Sequence, residues 1–430
     1  MKIYKYIFID ICKLLFYNLH GDSMEKPQRQ ILHIDVNNAF LSWTAMDRLA
    51  QGEKIDIREI EAVIGGDETK RSGIVLAKST KAKRRGVVTG ETLYQAKLKC
   101  PNLQVFKGDY KSYRKHSNDL YNLLLQYTDK IERFSIDECF LDMTNYLGGE
   151  TLLNKAYEIS RRVKNELKFT VNIGVAHNKL LAKMASDFTK PDRVHTLYET
   201  EIPVKMWPLP VSELFMIGKK TLPKLYNMGI KTIGDLAKQN KEVLIKKFGK
   251  HGLMMWEYSN GIDNSEVNYL EEKPKGIGNS VTLPSDLVNK EQIEEVLLTL
   301  TEQVTYRLRK YNMYANVVNV QLRTKDFKDF SHQRKLLNAT SNTKDIFKMA
   351  KELLEEMYKN GTFIRLVGLK VDNLVEKNEI QLSLFNNEEE KKQEKIDKVV
   401  DSLKEKYGYN SITRAGKLNS EKNIKLKDVD

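Results

Sequence analysis

Apolar residues fill Ile31 to Val36 except for His33 and Asp35, and Asn37-Asn38 then leads into a helical run of Phe40, Leu41, Trp43, Thr44, Met46 and Leu49 that ends at Gly52. The pattern predicts a buried strand turning directly into a helix, with the asparagines at its N-cap. A lone carboxylate near the end of such a strand is costly to bury unless it is paired or holds a metal, and a helix N-terminus offers free amides to an anion. Asp35 therefore reads either as part of a metal-and-phosphate site or as a solvated strand-end residue. This stretch alone leaves the two level.

Downstream, the periodicity predicts short strands at Glu59 to Val63 and Gly73 to Ala77, and a basic helical segment from Lys78 to Gly86. A short helix at Leu93 to Leu98, a strand at Leu103 to Phe106 and a helix from Tyr110 to Lys130 follow. The next informative stretch is Ile131-Glu-Arg-Phe-Ser-Ile-Asp-Glu-Cys-Phe-Leu-Asp142. Neighbours in a flat strand point to opposite faces, so Asp137 and Glu138 can share a metal only if the chain bends there, and Ser135 is compatible with a bend. With Asp35 they would make a three-carboxylate oxygen set suited to Mg2+. Judged alone, the pair reads better as a polar hairpin tip.

Thr151 to Leu167 reads as an amphipathic helix, Val171 to Ala176 as a strand, and Asn178 as the cap of a helix through Phe188. Leu180, Leu181 and Met184 form that helix's apolar face, with Lys179 and Lys183 off it. Lys190 stands before Pro191, which ends the helix; a lysine there is ordinarily a solvated group unless the carboxylates make a phosphate site. Leu214 to Leu236 reads as two short helices around glycine turns, where the amides near Gly218, with Lys219 and Lys220, can hold a DNA phosphate. Lys273 to Gly278 is a linker candidate. Beyond it come strand 279–283, helix 289–310, strands 315–323 and 332–337, helix 343–359 and strand 364–371, the features of an α+β sandwich domain. Its Arg323, Lys325, Lys328, Arg334 and Lys335 either follow a nucleic-acid backbone or form a solvated face. In the tail, Gln381-Leu-Ser-Leu-Phe385 reads as a docking peptide, Ile396, Val399, Val400 and Leu403 as a small amphipathic helix, and the last ten residues as disordered by composition.

Length and charge narrow the class. At 430 residues the chain is too long for one core. Its formal charge of +13 suits a polyanionic partner. Cys12, Cys100 and Cys139 have no paired spacing, which favours a reducing cytosol and argues against structural zinc. Ile3 to Tyr17 is apolar but broken by Lys5, Asp10 and Lys13, so it fits neither a membrane span nor a signal peptide. Met24 is the expected start of the natural protein, with residues 1–28 a non-native or disordered extension.

Taken together and in order, residues 30 to 385 resemble the Y-family translesion DNA polymerases, the DinB/UmuC group. His33-Ile-Asp-Val-Asn-Asn-Ala-Phe40 is similar to the family's first metal motif and Ser135-Ile-Asp-Glu138 to its second. The resemblance implies two Mg2+ ions held by Asp35 and Asp137, with Glu138 completing the catalytic metal site and Val36 lending its carbonyl. Phe40 falls on the steric gate that excludes the ribose 2′-hydroxyl. Thr189-Lys-Pro191 is similar to an Ala-Lys-Pro segment that places Lys190 on the triphosphate. Where many members carry a Tyr and an Arg on the triphosphate, this chain aligns Thr80 and Lys83, which leans it toward the UmuC-like branch. Lysine supplies the charge but no bidentate fork.

Ile217-Gly218-Lys219 resembles the thumb's helix-hairpin-helix, Gly278 to Pro284 the start of the little finger, and Gln381, Leu382, Leu384 and Phe385 a sliding-clamp peptide. The implied architecture is an α+β multi-domain right hand. It has a palm (29–38 and 108–199), small fingers (39–107), a helical thumb (200–268), a little-finger α/β sandwich (275–375) and a tail (376–430). The implied protein is a cytoplasmic monomer that adds dNTPs to a primer on template DNA, without proofreading or a membrane partner, on the sliding clamp and with accessory SOS proteins. Two rivals remain: a palm-fold nucleotide cyclase, and a catalytically silent clamp-bound repair factor.

Overall fold

The computed structural model describes residues 28–66, 73–270, 272–376, 388–408 and 411–412. The chain divides into two compact units, one made of residues up to 64 with 76–89 and 99–270, the other of 65–75, 90–98 and 271 onward.

In the first unit β1 (Ile31–Val36), buried at every position, runs into α1 (Ala39–Ala50) as the periodicity predicts. The asparagines act differently from expectation. Asn38 occupies the N-cap in left-handed backbone, which its short polar side chain tolerates, and makes no side-chain cap bond. After β2 (Ala62–Gly65) and β3 (Val75–Lys78) come α2 (Thr80–Arg84), α3 (Leu93–Lys99), all but its last residue assigned to the second unit, and β4 (Gln104–Lys107). The three strands make a sheet ordered β3-β2-β4. Ser79 starts α2 by accepting from Ala82 N, and Gly86 at φ 85° lies just beyond its end.

Next come α4 (Tyr110–Leu124), β5 (Ile131–Arg133), β6 (Glu138–Asp142), α5 (Leu152–Arg162), β7 (Val171–Ala176), α6 (Lys179–Ser186) and β8 (Val194–Thr196). Their five strands, with β1 at the centre, form a sheet ordered β5-β6-β1-β7-β8. Leu32, Ile34 and Val36 on one face of β1 join a core with Trp43, Tyr113, Leu120 and Ile159. Ile31 on the other face packs with Leu180, Leu181 and Met184 of α6. Helix and sheet meet closely at Gly174, where a Cβ would stand 1.7 Å from the Ala182 carbonyl oxygen. Four short helices follow, α7 (Leu222–Tyr226), α8 (Ile233–Ala237), α9 (Lys241–Phe248) and α10 (Lys250–Ser259), around Leu225, Ile233, Leu236, Leu244 and Met255.

The second unit contains β9 (Gly276–Leu287), α11 (Lys290–Lys310), β10 (Met313–Thr324), β11 (Asp329–Thr340), α12 (Thr343–Met357) and β12 (Ile364–Glu376). Its antiparallel sheet is ordered β11-β10-β12-β9, with the two helices packed on it over one core. The expected linker is shorter than its composition suggested, because Gly276 and Gly278 already pair with Asp372 and Lys370. Three of the basic residues singled out here have partners within the unit: Arg323 pairs with Asp329, Arg334 with Glu352 and Glu356, and Lys325 lies over Phe363.

The small amphipathic helix read at the end of the chain is α13 (Glu388–Tyr407), with Val400 and Leu403 half-buried. Asp397 and Asp401 turn inward to Arg309, at 3.4 and 2.6 Å, while Ile396 and Val399 stay exposed. A guanidinium that is 15% exposed needs counter-charge more than the helix needs to cover two aliphatic side chains. Residues 381–385 lie outside the described residues. Among those described, no helix is long and apolar enough to cross a membrane.

Candidate active site

The two-residue period of β1 sends His33 and Asp35 to the face opposite Leu32, Ile34 and Val36, the face that α6 covers. Antiparallel register places Asp35 opposite Glu138 on β6 and opposite Asn172 on β7. Between β5 and β6 the chain makes the bend that adjacent carboxylates require: Phe134 N and Ser135 N both donate to the Glu138 carbonyl, and Val36 N donates to the Asp137 carbonyl at 3.0 Å. The backbones of Asp35, Val36, Asp137 and Glu138 therefore meet at one end of the sheet. The side chains do not close into a cage. Asp137 Oδ1 accepts from Ser135 Oγ at 2.7 Å, and among the described residues no three His, Cys, Asp or Glu side chains stand as a ready metal cluster.

Lysines meet the charge instead. Lys190 Nζ lies 2.7 Å from Asp35 Oδ2 and 2.9 Å from Asp187 Oδ1. Burial pushes Asp35 up to about 6 despite this partner, because the carboxyl is 7% exposed. Burial also works against the charge on Lys190, but Asp35 and Asp187 together carry its pKa above the ordinary lysine value. Glu138 behaves oppositely to Asp35. Burial opposes its charge too, yet the contacts with His33 and Lys183 outweigh that and bring it down to about 2. Lys183 Nζ is 2.9 Å and His33 Nε2 3.4 Å from the same atom, Glu138 Oε2. His33 is fully buried, which lowers its pKa and favours the neutral ring, and its Nδ1 lies 2.8 Å from Ser186 Oγ. The donor set fits a hard divalent cation: carboxylate oxygens on converging backbone, at a corner where two ammonium groups already balance negative charge.

The remaining sequence candidates fall as follows. Phe40 is half-buried and stacks on Tyr113 at 4.8 Å between ring centroids, while Thr44 Oγ1 and the Tyr113 hydroxyl lie 2.7 Å apart behind it. Thr80 and Lys83 are exposed on α2, which Asn38 ties to the start of α1 by donating to the Lys78 carbonyl. Gly218, Lys219 and Lys220 are exposed just before α7, where Thr221 N donates to the Gly218 carbonyl.

Four groups in the site escaped the sequence: Lys183, Ser186, Asn37 and Asn172. Lys183 lies off the Leu180–Leu181–Met184 stripe, yet it is 9% exposed and its ammonium stands 5.6 Å from the rings of Phe134 and Phe215. The available signal was spacing: Lys183 and Ser186 are one helical turn apart, as His33 and Asp35 are one strand period apart.

Three family profiles match the chain. The impB/mucB/samB family covers residues 34–187, its C-terminal domain 274–384, and a thumb domain described for DNA polymerase-iota 213–263. The chain is 50% identical over 391 residues to a DNA polymerase IV of Clostridium acetobutylicum, covering 91% of this chain and 98% of that protein. A DNA polymerase IV of Acetivibrio thermocellus is 38% identical, with 90% and 97% covered, and DNA polymerase IV 1 of Bacillus subtilis is 35% identical, with 93% and 95% covered. Among solved structures, a Y-family polymerase chimera of Dbh and Dpo4 shares the fold, with a TM-score of 0.71, 24% identity, and 81% of this chain and 99% of that one covered.

Proposed function

The chain belongs to the Y family of DNA polymerases and is a DNA-directed DNA polymerase of the translesion type, and from that premise we propose that it extends a primer 3′-end by two-Mg2+ nucleotidyl transfer at Asp35, Asp137 and Glu138. Its relatives named DNA polymerase IV place it with the DinB type, which overturns the UmuC-like leaning drawn from Thr80 and Lys83. Two exposed positions carry less weight than identity along the whole chain.

The observation that carries the reading is the corner where β1 and β6 end, with Asp35 opposite Glu138 and the Asp137 carbonyl bonded to Val36 N. When bound there, the Mg2+ ions would activate the primer hydroxyl and hold the triphosphate. In this reading Glu138 is kept ionised by Lys183, and Lys190 offers its ammonium to the triphosphate. Phe40, braced on Tyr113, faces the sugar of the incoming nucleotide; Thr80 and Lys83 touch its phosphates from the fingers. The exposed turn at Gly218, Lys219 and Lys220 takes a DNA phosphate without reading sequence. The palm, fingers, thumb and little finger keep the boundaries given above, and Gln381 to Phe385 docks the enzyme on the sliding clamp. The enzyme is proposed to work as a cytoplasmic monomer, without a proofreading activity.

Primer extension on undamaged and abasic templates with Mg2+ and four dNTPs, comparing the natural sequence with Asp137→Ala, tests the site. Distributive extension by the natural sequence alone is expected. Equal extension by both would remove Asp137 from the metal site. Primer-template binding without extension by either would favour a silent clamp-bound factor, and adding the clamp would separate that from a missing accessory protein.

A further inference from the structure

Asn37 and Asn172 form a buried amide pair whose bonds lead to both sides of Lys190. Asn37 is 6% exposed and Asn172 not at all, and Asn37 Nδ2 donates to Asn172 Oδ1 at 3.0 Å. Asn172 Nδ2 donates to the Ser186 carbonyl at 3.0 Å and to the Thr189 carbonyl at 2.8 Å. On the far side, Asp192 N donates to Asn37 Oδ1 at 2.8 Å and Arg193 N to Asn172 Oδ1 at 3.3 Å. The orientation of both amides is forced, because backbone N–H groups only donate and carbonyls only accept. No polar atom of either side chain is left over. The pair reaches from β1 and β7 to the segment between α6 and β8, which carries Lys190.

We propose that Asn37 and Asn172 are positioning residues for Lys190: they clamp the backbone at Thr189 and Asp192, and so fix where its ammonium meets the incoming triphosphate. This rests on the reading of Lys190 as a triphosphate ligand. Neither asparagine touches the substrate. Each holds the lysine's backbone, and the long side chain beyond it is shared between Asp35 and Asp187. An aspartate at 37 could still accept from Asp192 N but could not donate to Asn172, and the pair would meet oxygen to oxygen.

The test uses the full chain on primer-template DNA with a dideoxy-terminated primer, so that dNTP affinity is read at equilibrium by 2-aminopurine fluorescence, alongside single-turnover rates on an extendable primer. Asn37→Ala is expected to weaken dNTP affinity about tenfold while changing the maximal rate less than about threefold. Lys190→Met should weaken affinity similarly, and the double variant should be no weaker than Lys190→Met alone. A merely structural asparagine would give additive losses, and that result overturns the proposal. So does an unchanged affinity in Asn37→Ala when Lys190→Met is impaired. An unchanged affinity in Lys190→Met itself would defeat the reading of that lysine, and the positioning role with it. If Asn37→Ala fails to fold, Asn37→Ser, which keeps one donor and one acceptor, takes its place in the same cycle.

Discussion

Asp35 is predicted to weaken the fold it sits in. Its folded pKa, raised from 3.8 to about 6, means that folding binds the proton more tightly than the unfolded chain does. Its contribution to stability is therefore fully present below about pH 4 and lost as pH rises through about 6. At about 1.4 kcal/mol per pKa unit, the ionised carboxylate costs the fold about 3 kcal/mol at neutral pH. Asp35→Asn removes the charge and keeps the shape. It also deprives Lys190 of one partner, but that ammonium retains Asp187 and is on a side chain 37% exposed. The net gain is then about 1–3 kcal/mol at pH 7.5, or roughly 3–8 °C in Tm for a unit of this size. All three tryptophans, Trp43, Trp207 and Trp256, lie in the first unit, so thermal unfolding followed by tryptophan fluorescence in EDTA reports on it alone. Asp35→Asn should melt higher than the natural sequence at pH 7.5 and equally at pH 4, while losing primer extension. A lower Tm at pH 7.5, or a gain that does not change with pH, would refute the account of Asp35 as a buried, incompletely compensated charge.

Further variants probe neighbouring links. Lys183→Met should cost the first unit roughly 2–4 kcal/mol at pH 7.5 in EDTA by leaving Glu138 charged without its ammonium. Because the depressed pKa of Glu138 stabilises the fold above about 4.5 and that stability is lost as pH falls through about 2, the Tm difference should shrink in acid. Gly174→Ala drives a Cβ into the Ala182 carbonyl and should lift α6 from β7, with a loss of about 3 kcal/mol or more, read as a lower Tm. Phe40→Ala removes the ring that Tyr113 braces and should raise incorporation of ribonucleotides relative to dNTPs in single-turnover assays, with extension on dNTPs retained. Unaltered sugar discrimination would return Phe40 to the role of a core aromatic.

The sequence was most informative where one strand or helix decided the outcome. The apolar run at Ile31 to Val36 declared a strand, and the alternation rule required a bend before two adjacent carboxylates could share a site; the turn between β5 and β6 supplies that bend. What the sequence concealed depends on contacts between elements. Lys183 lies off the apolar stripe of its own helix and reads as solvated until the sheet beneath places Glu138 at the end of its side chain. Asn37 reads as a helix cap until β7 brings Asn172 beside it. The apolar positions of α13 imply an inward face, but Arg309, a residue about ninety positions earlier, draws the acidic face in.

The same distinction explains why the carboxylates could be found early and their electrostatics could not. Asp35 and Glu138 occupy paired positions on adjacent strands and both are largely buried, yet one pKa rises and the other falls. The difference lies in the partners. Lys183 stands on α6 beside two aromatic rings and 2.9 Å from Glu138, and together with His33 it compensates that carboxylate. Lys190 hangs from the chain beyond α6, divides its charge between Asp35 and Asp187, and compensates Asp35 only in part. If this corner takes a cation and a polyphosphate, as proposed, Glu138 would hold its charge at neutral pH, and Lys190 would exchange Asp35 for a phosphate when the cation took its place.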